Sequence, residues 1–177
     1  ALIFVMSGRP ARSTLFPDTA LFRSTQVYTG AVTQSANAQL TGTSVTFSDT
    51  LTGGGTEALT VVGDSVFTGN VSALASIDTS GTAQNIGTVT ISGLYDAGVA
   101  DIDALISAGS TNVSGTTNLG ADVTTTGTQV YTGAVTQSAS VQLTGTVVTF
   151  SDTLTGGGTE TLAVLGDRVC TGNVAAL

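Results

Sequence analysis

Histidine, lysine and tryptophan are absent from this sequence, which contains one cysteine and two prolines. Without histidine, the chain cannot build the mixed nitrogen and sulfur sites that hold zinc in most zinc proteins. The single cysteine, Cys170, excludes an intrachain disulfide. Charged residues make up only 9% of the chain, whereas 41% of its residues are hydrophobic. This balance argues against intrinsic disorder.

Positive charge is nearly absent from most of the chain. Three of the four arginines, Arg9, Arg12 and Arg23, fall within the first 24 residues. From residue 25 onward the sequence holds eleven acidic residues and Arg168, a net charge of −10. Such a surface repels phosphate backbones and anionic membranes, so we expect no nucleic-acid partner. No apolar run approaches the ~18 residues of a membrane span, and none is predicted.

The most informative feature present is a long internal repeat. Residues 25–74 return as residues 128–177, with an offset of 103 residues and 41 identities in 50 positions. The repeated sequence is rich in Thr, Ser, Gly, Val and Ala, residues that suit strands and turns. A fixed period of this kind predicts a repetitive β structure and does not by itself indicate a reaction.

A shorter motif recurs inside the long repeat, in which two small or polar residues separate apolar ones. It begins at Tyr28, Phe47 and Phe67, in looser form at Ile91 and Val113, and again at Tyr131, Phe150 and Cys170. The mean spacing is about 20 residues, which is the length of one β-solenoid coil built from three short strands at ~3.3 Å per residue. We therefore expect these positions to stack as one inward ladder.

The predicted fold is an all-β parallel β-helix, or β-solenoid, over residues 25–177. One long repeat occupies residues 25–127 and a partial second copy occupies residues 128–177. Alternating apolar and polar residues indicate strands, and glycine-rich segments such as 52–55 indicate the turns between them. Tandem immunoglobulin-like β-sandwiches are the alternative, because arrays of those domains also repeat near 100 residues. Residues 95–108 form the one stretch that could make a short helical turn.

The first 24 residues stand apart from the repeat. Residues 13–24, STLFPDTALFRS, resemble the in-frame translation of a short-read sequencing adapter, TLFPYTTLFRS, with Asp18 and Ala20 departing from it. We therefore expect residues 1–24 to be a non-native assembly scar that is disordered or loosely attached. A signal peptide is the competing interpretation. Both ends of the sequence are expected to be cuts through a longer protein.

Residues 123–150, VTTTGTQVYTGAVTQSASVQLTGTVVTF, resemble the strand repeats of large bacterial exoproteins. These are the filamentous-haemagglutinin-like adhesins of two-partner secretion and the passenger domains of autotransporters. The resemblance implies a right-handed parallel β-helix that is exported through an outer-membrane secretion partner to the cell surface or medium. It also implies that Tyr28, Phe47, Phe67, Tyr131 and Phe150 are core residues.

Three groups of residues have side chains or spacing that could form a site. Asp96, Asp101 and Asp103 form a local acidic cluster of the kind that carbohydrate-active β-helix enzymes use. Residues 52–57, TGGGTE, superficially resemble a phosphate loop but lack its lysine, so a tight corner is expected there. Carboxylates at Asp49, Glu57 or Asp64 suit calcium. The prediction is nevertheless that the chain has no catalytic, cofactor or metal site.

The sequence therefore predicts a non-enzymatic structural and adhesive segment of a large secreted or cell-surface protein. Glycans or proteins of a host or neighbouring cell are the expected partners. Self-association through uncapped coil ends is expected as well, because exposed strand edges pair with other chains. A carbohydrate-active β-helix enzyme using Asp96, Asp101 and Asp103 is the alternative function.

Overall fold

The computed structural model describes residues 24–175 and, before them, the strands at 4–5, 13–15 and 20–21. The strands are β1 (Phe4–Val5), β2 (Ser13–Leu15), β3 (Ala20–Leu21), β4 (Gln26–Tyr28), β5 (Val32–Gln34), β6 (Ala38–Phe47), β7 (Leu51–Thr52), β8 (Ala58–Phe67), β9 (Val71–Leu74), β10 (Ser76–Asn85), β11 (Val89–Ile91), β12 (Leu94–Ile102), β13 (Ile106–Ala108), β14 (Ser110–Val113), β15 (Thr117–Leu119), β16 (Val123–Thr125), β17 (Gln129–Tyr131), β18 (Val135–Gln137), β19 (Val141–Phe150), β20 (Leu154–Thr155), β21 (Leu162–Cys170) and β22 (Val174–Ala175). The described residues contain no helix, and hence none that could cross a membrane.

The strands form a β-solenoid of about eight turns with about 18 residues per coil. Each coil contributes one strand segment to each of three faces, and each segment pairs in parallel with the equivalent segment of the next coil. Face 1 contains β4, the second halves of β6, β8, β10 and β12, and then β15, β18, β20 and β22. The parallel pairing confirms the predicted solenoid and excludes immunoglobulin-like sandwiches, whose strands are antiparallel.

The other two faces follow the same rule. Face 2 contains β5, β7, β9, β11, β13, β16 and the first halves of β19 and β21. Face 3 contains the first halves of β6, β8, β10 and β12, then β14, β17 and the second halves of β19 and β21. The hand of the coil, implied to be right by the family resemblance, stays a prediction.

The two copies of the long repeat lie on different faces. The first copy places Gln26-Val27-Tyr28 on face 1, whereas the second places Gln129-Val130-Tyr131 on face 3. The 103-residue period therefore spans five full turns and two faces of a sixth. The second copy is rotated by one face, or about a third of a turn, relative to the first.

This rotation corrects the expected single ladder. Tyr28, Phe47 and Phe67 do stack on face 1, with ring centroids 5.0 and 5.6 Å apart. Below them, however, the column continues through Asn85 and Ile102. Ile91 lies on face 2, and Val113, Tyr131, Phe150 and Cys170 form a separate column on face 3. The prediction of one ladder was wrong because similar short motifs occur on all three faces.

The core runs along the solenoid axis and is filled by alternate residues of the strands from β4 to β20. Phe47, Phe67 and Tyr131 are fully buried, as the resemblance implied, and Phe150 is 1% exposed, whereas Tyr28 is half-buried. Burial of this kind stabilises a structure by about 1.5–3 kcal/mol for each large apolar side chain. Residues 95–108 contribute β12 and β13 to this core, so the helical turn considered for them does not form.

Stacked glycines let the chain turn at the corners. At the corner between faces 3 and 1, a Cβ on Gly63 would lie 1.8 Å from the carbonyl oxygen of Gly42. Gly166 meets Gly145 in the same way at the corner between faces 2 and 3. Gly63 and Gly166 both have a positive φ, 130° and 133° respectively. Only glycine combines that backbone conformation with so close an approach.

Strands β1, β2 and β3 precede the first repeat and pair in parallel with β4, β5 and β6. They continue the three faces by one coil. The adapter-like segment 13–24 lies partly within them and partly outside the described residues. Its non-native origin stays a prediction.

Candidate functional site

The three predicted acidic residues are not brought together. Asp96 points outward from face 3, Asp101 points outward from face 1, and Asp103 lies beyond the end of β12, at the corner between faces 1 and 2. Asp96 instead lies beside Asp78 in the neighbouring coil. Partial burial raises the pKa of Asp78, and the negative charge of Asp96 adds to that rise. Asp96, Asp101 and Asp103 therefore do not form one acidic cluster.

Asp101 is the centre of a polar row on face 1. Its Oδ1 accepts a hydrogen bond from Asn118 Nδ2 at 2.8 Å, and its Oδ2 accepts one from Gln84 Nε2 at 3.4 Å. The three side chains come from consecutive coils in register. Carboxamide donors on both sides orient the outward-facing carboxylate of Asp101.

A groove of about 300 Å³ opens beside this row, above the corner between faces 3 and 1. Its lining comprises six polar residues and one aliphatic residue, with the Ser65 hydroxyl turned into the core: Ser44, Asp64, Ser65, Val66, Thr82, Gln84 and Asp101. Asp64 Oδ1 accepts the backbone N–H of Thr82 at 2.8 Å, which fixes the second carboxylate of the groove. No basic residue lines the groove, so it suits neutral or positively charged polar ligands.

The groove was not foreseen from the sequence. Asp64 and Asp101 are 37 residues apart, and Ser44 lies a further coil away. Their proximity depends on the coil register, which brings outward residues of successive coils into line. The ~20-residue period does indicate the approximate coil length. However, the short motif is spaced by 24 residues from Phe67 to Ile91 and by 22 from Ile91 to Val113, and these spacings do not match the coils of the middle segment.

The glycine-rich turns serve as closed corners. Glu57 Oε2 accepts the backbone N–H groups of Gly54 at 2.6 Å and Thr56 at 3.2 Å. The hydrogen bond from Gly54, followed by one from its own amide, lowers the pKa of Glu57. Glu160 repeats the arrangement, and its pKa is lowered chiefly by its own amide and that of Thr159. The glutamate carboxylate therefore occupies the donors that a phosphate would need.

The calcium candidates are likewise dispersed. Asp49 Oδ1 accepts the N–H of Thr50 at 2.7 Å, while Asp64 and Glu57 each hold the backbone hydrogen bonds described above. Within residues 24–175 and the three preceding strands, no three acidic or cysteine side chains are grouped as metal ligands.

Face 2 carries an outward row of hydroxyl groups that the sequence analysis also missed. One threonine or serine per coil lies in register along seven consecutive coils: Thr33, Thr52, Ser72, Thr90, Ser107, Thr124 and Thr144. The row continues through the middle segment, where the 103-residue repeat has no duplicate. It is thus a property of the coils and not of the long repeat alone.

No family model, curated protein or solved structure gave a significant match to this chain.

Proposed function

We propose that this chain is a structural and adhesive segment of a bacterial secreted or cell-surface protein, with no catalytic role. The observation that carries the proposal is the unbroken stacking of coils, which continues across the boundary between the two copies. Parallel coils with a continuous core make a stiff, extended body whose side chains are displayed at regular intervals. Export through an outer-membrane partner belongs to the same proposal and is supported by the family resemblance.

Glycans are the partners that the outward groups fit best. The groove at Asp64 and Asp101 offers hydroxyl, carboxamide and carboxylate groups, which are complementary to the hydroxyl groups of a sugar. The hydroxyl row of face 2 adds a second polar surface. The excess of negative charge disfavours acidic glycans, so neutral and amino-containing polysaccharides are the preferred ligands.

The test is binding of the purified chain to immobilised neutral, amino-containing and acidic polysaccharides at physiological ionic strength. We expect binding to the first two classes and a loss of at least about tenfold in the double variant Asp64→Asn, Asp101→Asn. Asp96→Asn is the control for charge, because it removes a carboxylate from face 3 and leaves the groove intact. Absence of binding across the panel, or an equal loss in the control, would refute adhesion through the groove.

The same panel tests the enzymatic alternative. Release of reducing ends from any polysaccharide, abolished by Asp101→Asn, would replace the adhesive proposal with a carbohydrate-active one. We expect no release, because Asp96, Asp101 and Asp103 lie on different faces and a corner and so cannot act together as the acid and base of glycoside hydrolysis.

A further inference from the structure

The groove between faces 3 and 1 contains two carboxylates at different heights along the solenoid axis. Asp64 lies in β8 and Asp101 in β12, with β10 between them. At ~4.8 Å per strand, the two residues are about 10 Å apart along the axis. An ion pair needs its nitrogen and oxygen within about 4 Å, so a single ammonium group is poorly placed to contact both carboxylates. Two cationic groups of one elongated ligand match this separation.

Both carboxylates keep acceptor positions open to a ligand. Asp64 Oδ1 accepts the backbone N–H of Thr82, and within the described part of the chain Asp64 Oδ2 accepts no hydrogen bond. Asp101 accepts hydrogen bonds from Asn118 at 2.8 Å and Gln84 at 3.4 Å, which occupy two of the roughly four lone-pair sites of a carboxylate. Because Gln84 donates its amide, its carbonyl oxygen is a further acceptor in the strand between the two acids. The groove is therefore rich in acceptors for a ligand that carries N–H or O–H donors.

The lining of the groove carries negative charge without a basic residue to balance it. From residue 25 onward Arg168 is the only basic residue, and it does not line the groove. A primary ammonium group supplies three N–H donors and one positive charge, whereas a sugar hydroxyl supplies a single uncharged donor. Hydrogen bonds between an ammonium group and a carboxylate are shorter and stronger than neutral ones. The lining therefore favours amino groups over hydroxyl groups as the polar substituents of a ligand.

We propose that the groove binds an oligosaccharide whose amino groups are free, with one ammonium group at Asp64 and a second at Asp101. This inference rests on the proposed glycan-binding function and narrows the ligand to deacetylated amino sugars. Acetylation of each amine removes its charge and two of its three N–H donors, so an N-acetylated chain of the same length loses both contacts. The sugar chain crosses β8, β10 and β12, and Gln84 meets it between the two amines.

The strength of binding follows from the exposure of the groove. Asp64 is exposed and Asp101 is half-buried, so each contact has the modest strength of a surface ion pair. Two such contacts together amount to about tenfold in affinity. Once the first ammonium group is bound, the sugar chain holds the second at a high effective concentration. Affinity should therefore rise sharply at the chain length that first reaches both carboxylates.

The experiment titrates the full 177-residue chain with glucosamine and its β-linked dimer to hexamer by calorimetry at physiological ionic strength. The same series with every amine acetylated, and the linear polyamine spermidine, are the comparison ligands. Asp64→Asn and Asp101→Asn each remove one charge, and both should fold because the asparagine oxygen still accepts a hydrogen bond from Thr82 or Asn118. Asp96→Asn is the matched control, because it removes the same charge from face 3, outside the groove.

We expect the free-amine hexamer to bind at least about tenfold more tightly than its acetylated counterpart and than glucosamine, and either groove variant to remove most of both differences. Asp96→Asn should leave them unchanged, and an equal loss there would overturn the assignment to the groove. Equal affinity of the free and acetylated series would overturn the recognition of amines while glycan adhesion stands. Equal affinity of glucosamine and the hexamer would overturn the two-point contact, and spermidine binding as tightly as the hexamer would overturn the sugar as ligand. No binding of any oligosaccharide would contradict glycan adhesion through the groove itself.

Discussion

Asn85 on face 1 donates its side-chain amide to the phenol oxygen of Tyr95 on face 3, and this bond lies inside the core. Both residues are fully buried. Burial raises the pKa of Tyr95 well above its usual range, while the bond from Asn85 lowers it slightly. The pair joins two faces of the solenoid where the first aromatic column ends and shorter coils begin.

The pair should show strong coupling in a double-mutant cycle. Tyr95→Phe leaves the Asn85 amide without this partner, and we expect a loss of about 1–3 kcal/mol in the free energy of unfolding. Asn85→Leu should have a similar effect by stranding the phenol. The double variant should be more stable than the sum of the two losses predicts, as urea denaturation would measure. Additive losses would show that the bond contributes nothing.

The corner glycines should not tolerate a side chain. Gly63→Ala places a methyl group against the carbonyl oxygen of Gly42 at a positive φ, and the strain alone is about 1–3 kcal/mol. Gly166→Ala should have an effect of the same kind, because Gly166 has a similar positive φ and approaches the carbonyl oxygen of Gly145 equally closely. Gly30→Ala is the matched control, since a methyl group there would have nothing within 4 Å of it. Thermal unfolding that affects Gly30→Ala as much as Gly63→Ala would contradict this account.

The glycine-rich turns should make the protein sensitive to acid. Folding lowers the pKa of Glu57 and of Glu160 below the reference value of 4.5. Their contribution is therefore complete above the unfolded pKa and is lost as pH falls through the folded pKa. Glu57→Gln with Glu160→Gln should lower the Tm at pH 7 and flatten its decline between pH 5 and pH 3.

The single variants serve as controls for that measurement. Because the two turns have the same sequence, each of Glu57→Gln and Glu160→Gln should remove part of the acid dependence. A decline in Tm that is unchanged in the double variant would mean that other carboxylates govern acid unfolding.

The sequence was sufficient to predict the strand content, the parallel coils and the approximate coil length, because Val, Thr and Gly recur at intervals set by the coil itself. It was insufficient for the middle segment. Ile91 and Val113 match the short motif, yet the backbone places them on faces 2 and 3. Coils there contain 17 or 18 residues because they lack the long turn of residues 53–57. Motif similarity alone does not distinguish one face from another.

Predicting the groove from the sequence would have required the same information, namely the face on which each strand lies. Asp64 and Asp101 come together only when the coil length between them is known, and their sequence separation gives no hint of it. The physical cause is the alternation of inward and outward residues along strands whose register the sequence does not fix.

The rotation of the repeat by one face governs how many identical groups one flat surface can meet. Equivalent loops, such as those at Glu57 and Glu160, point about 120° apart and are separated by ~27 Å along the axis, given a strand spacing of ~4.8 Å. In a chain of such periods a given loop would return to the same direction only after three periods, about 310 residues. Avidity toward a cell wall would then grow with every third copy, whereas freely diffusing multivalent ligands could engage every copy.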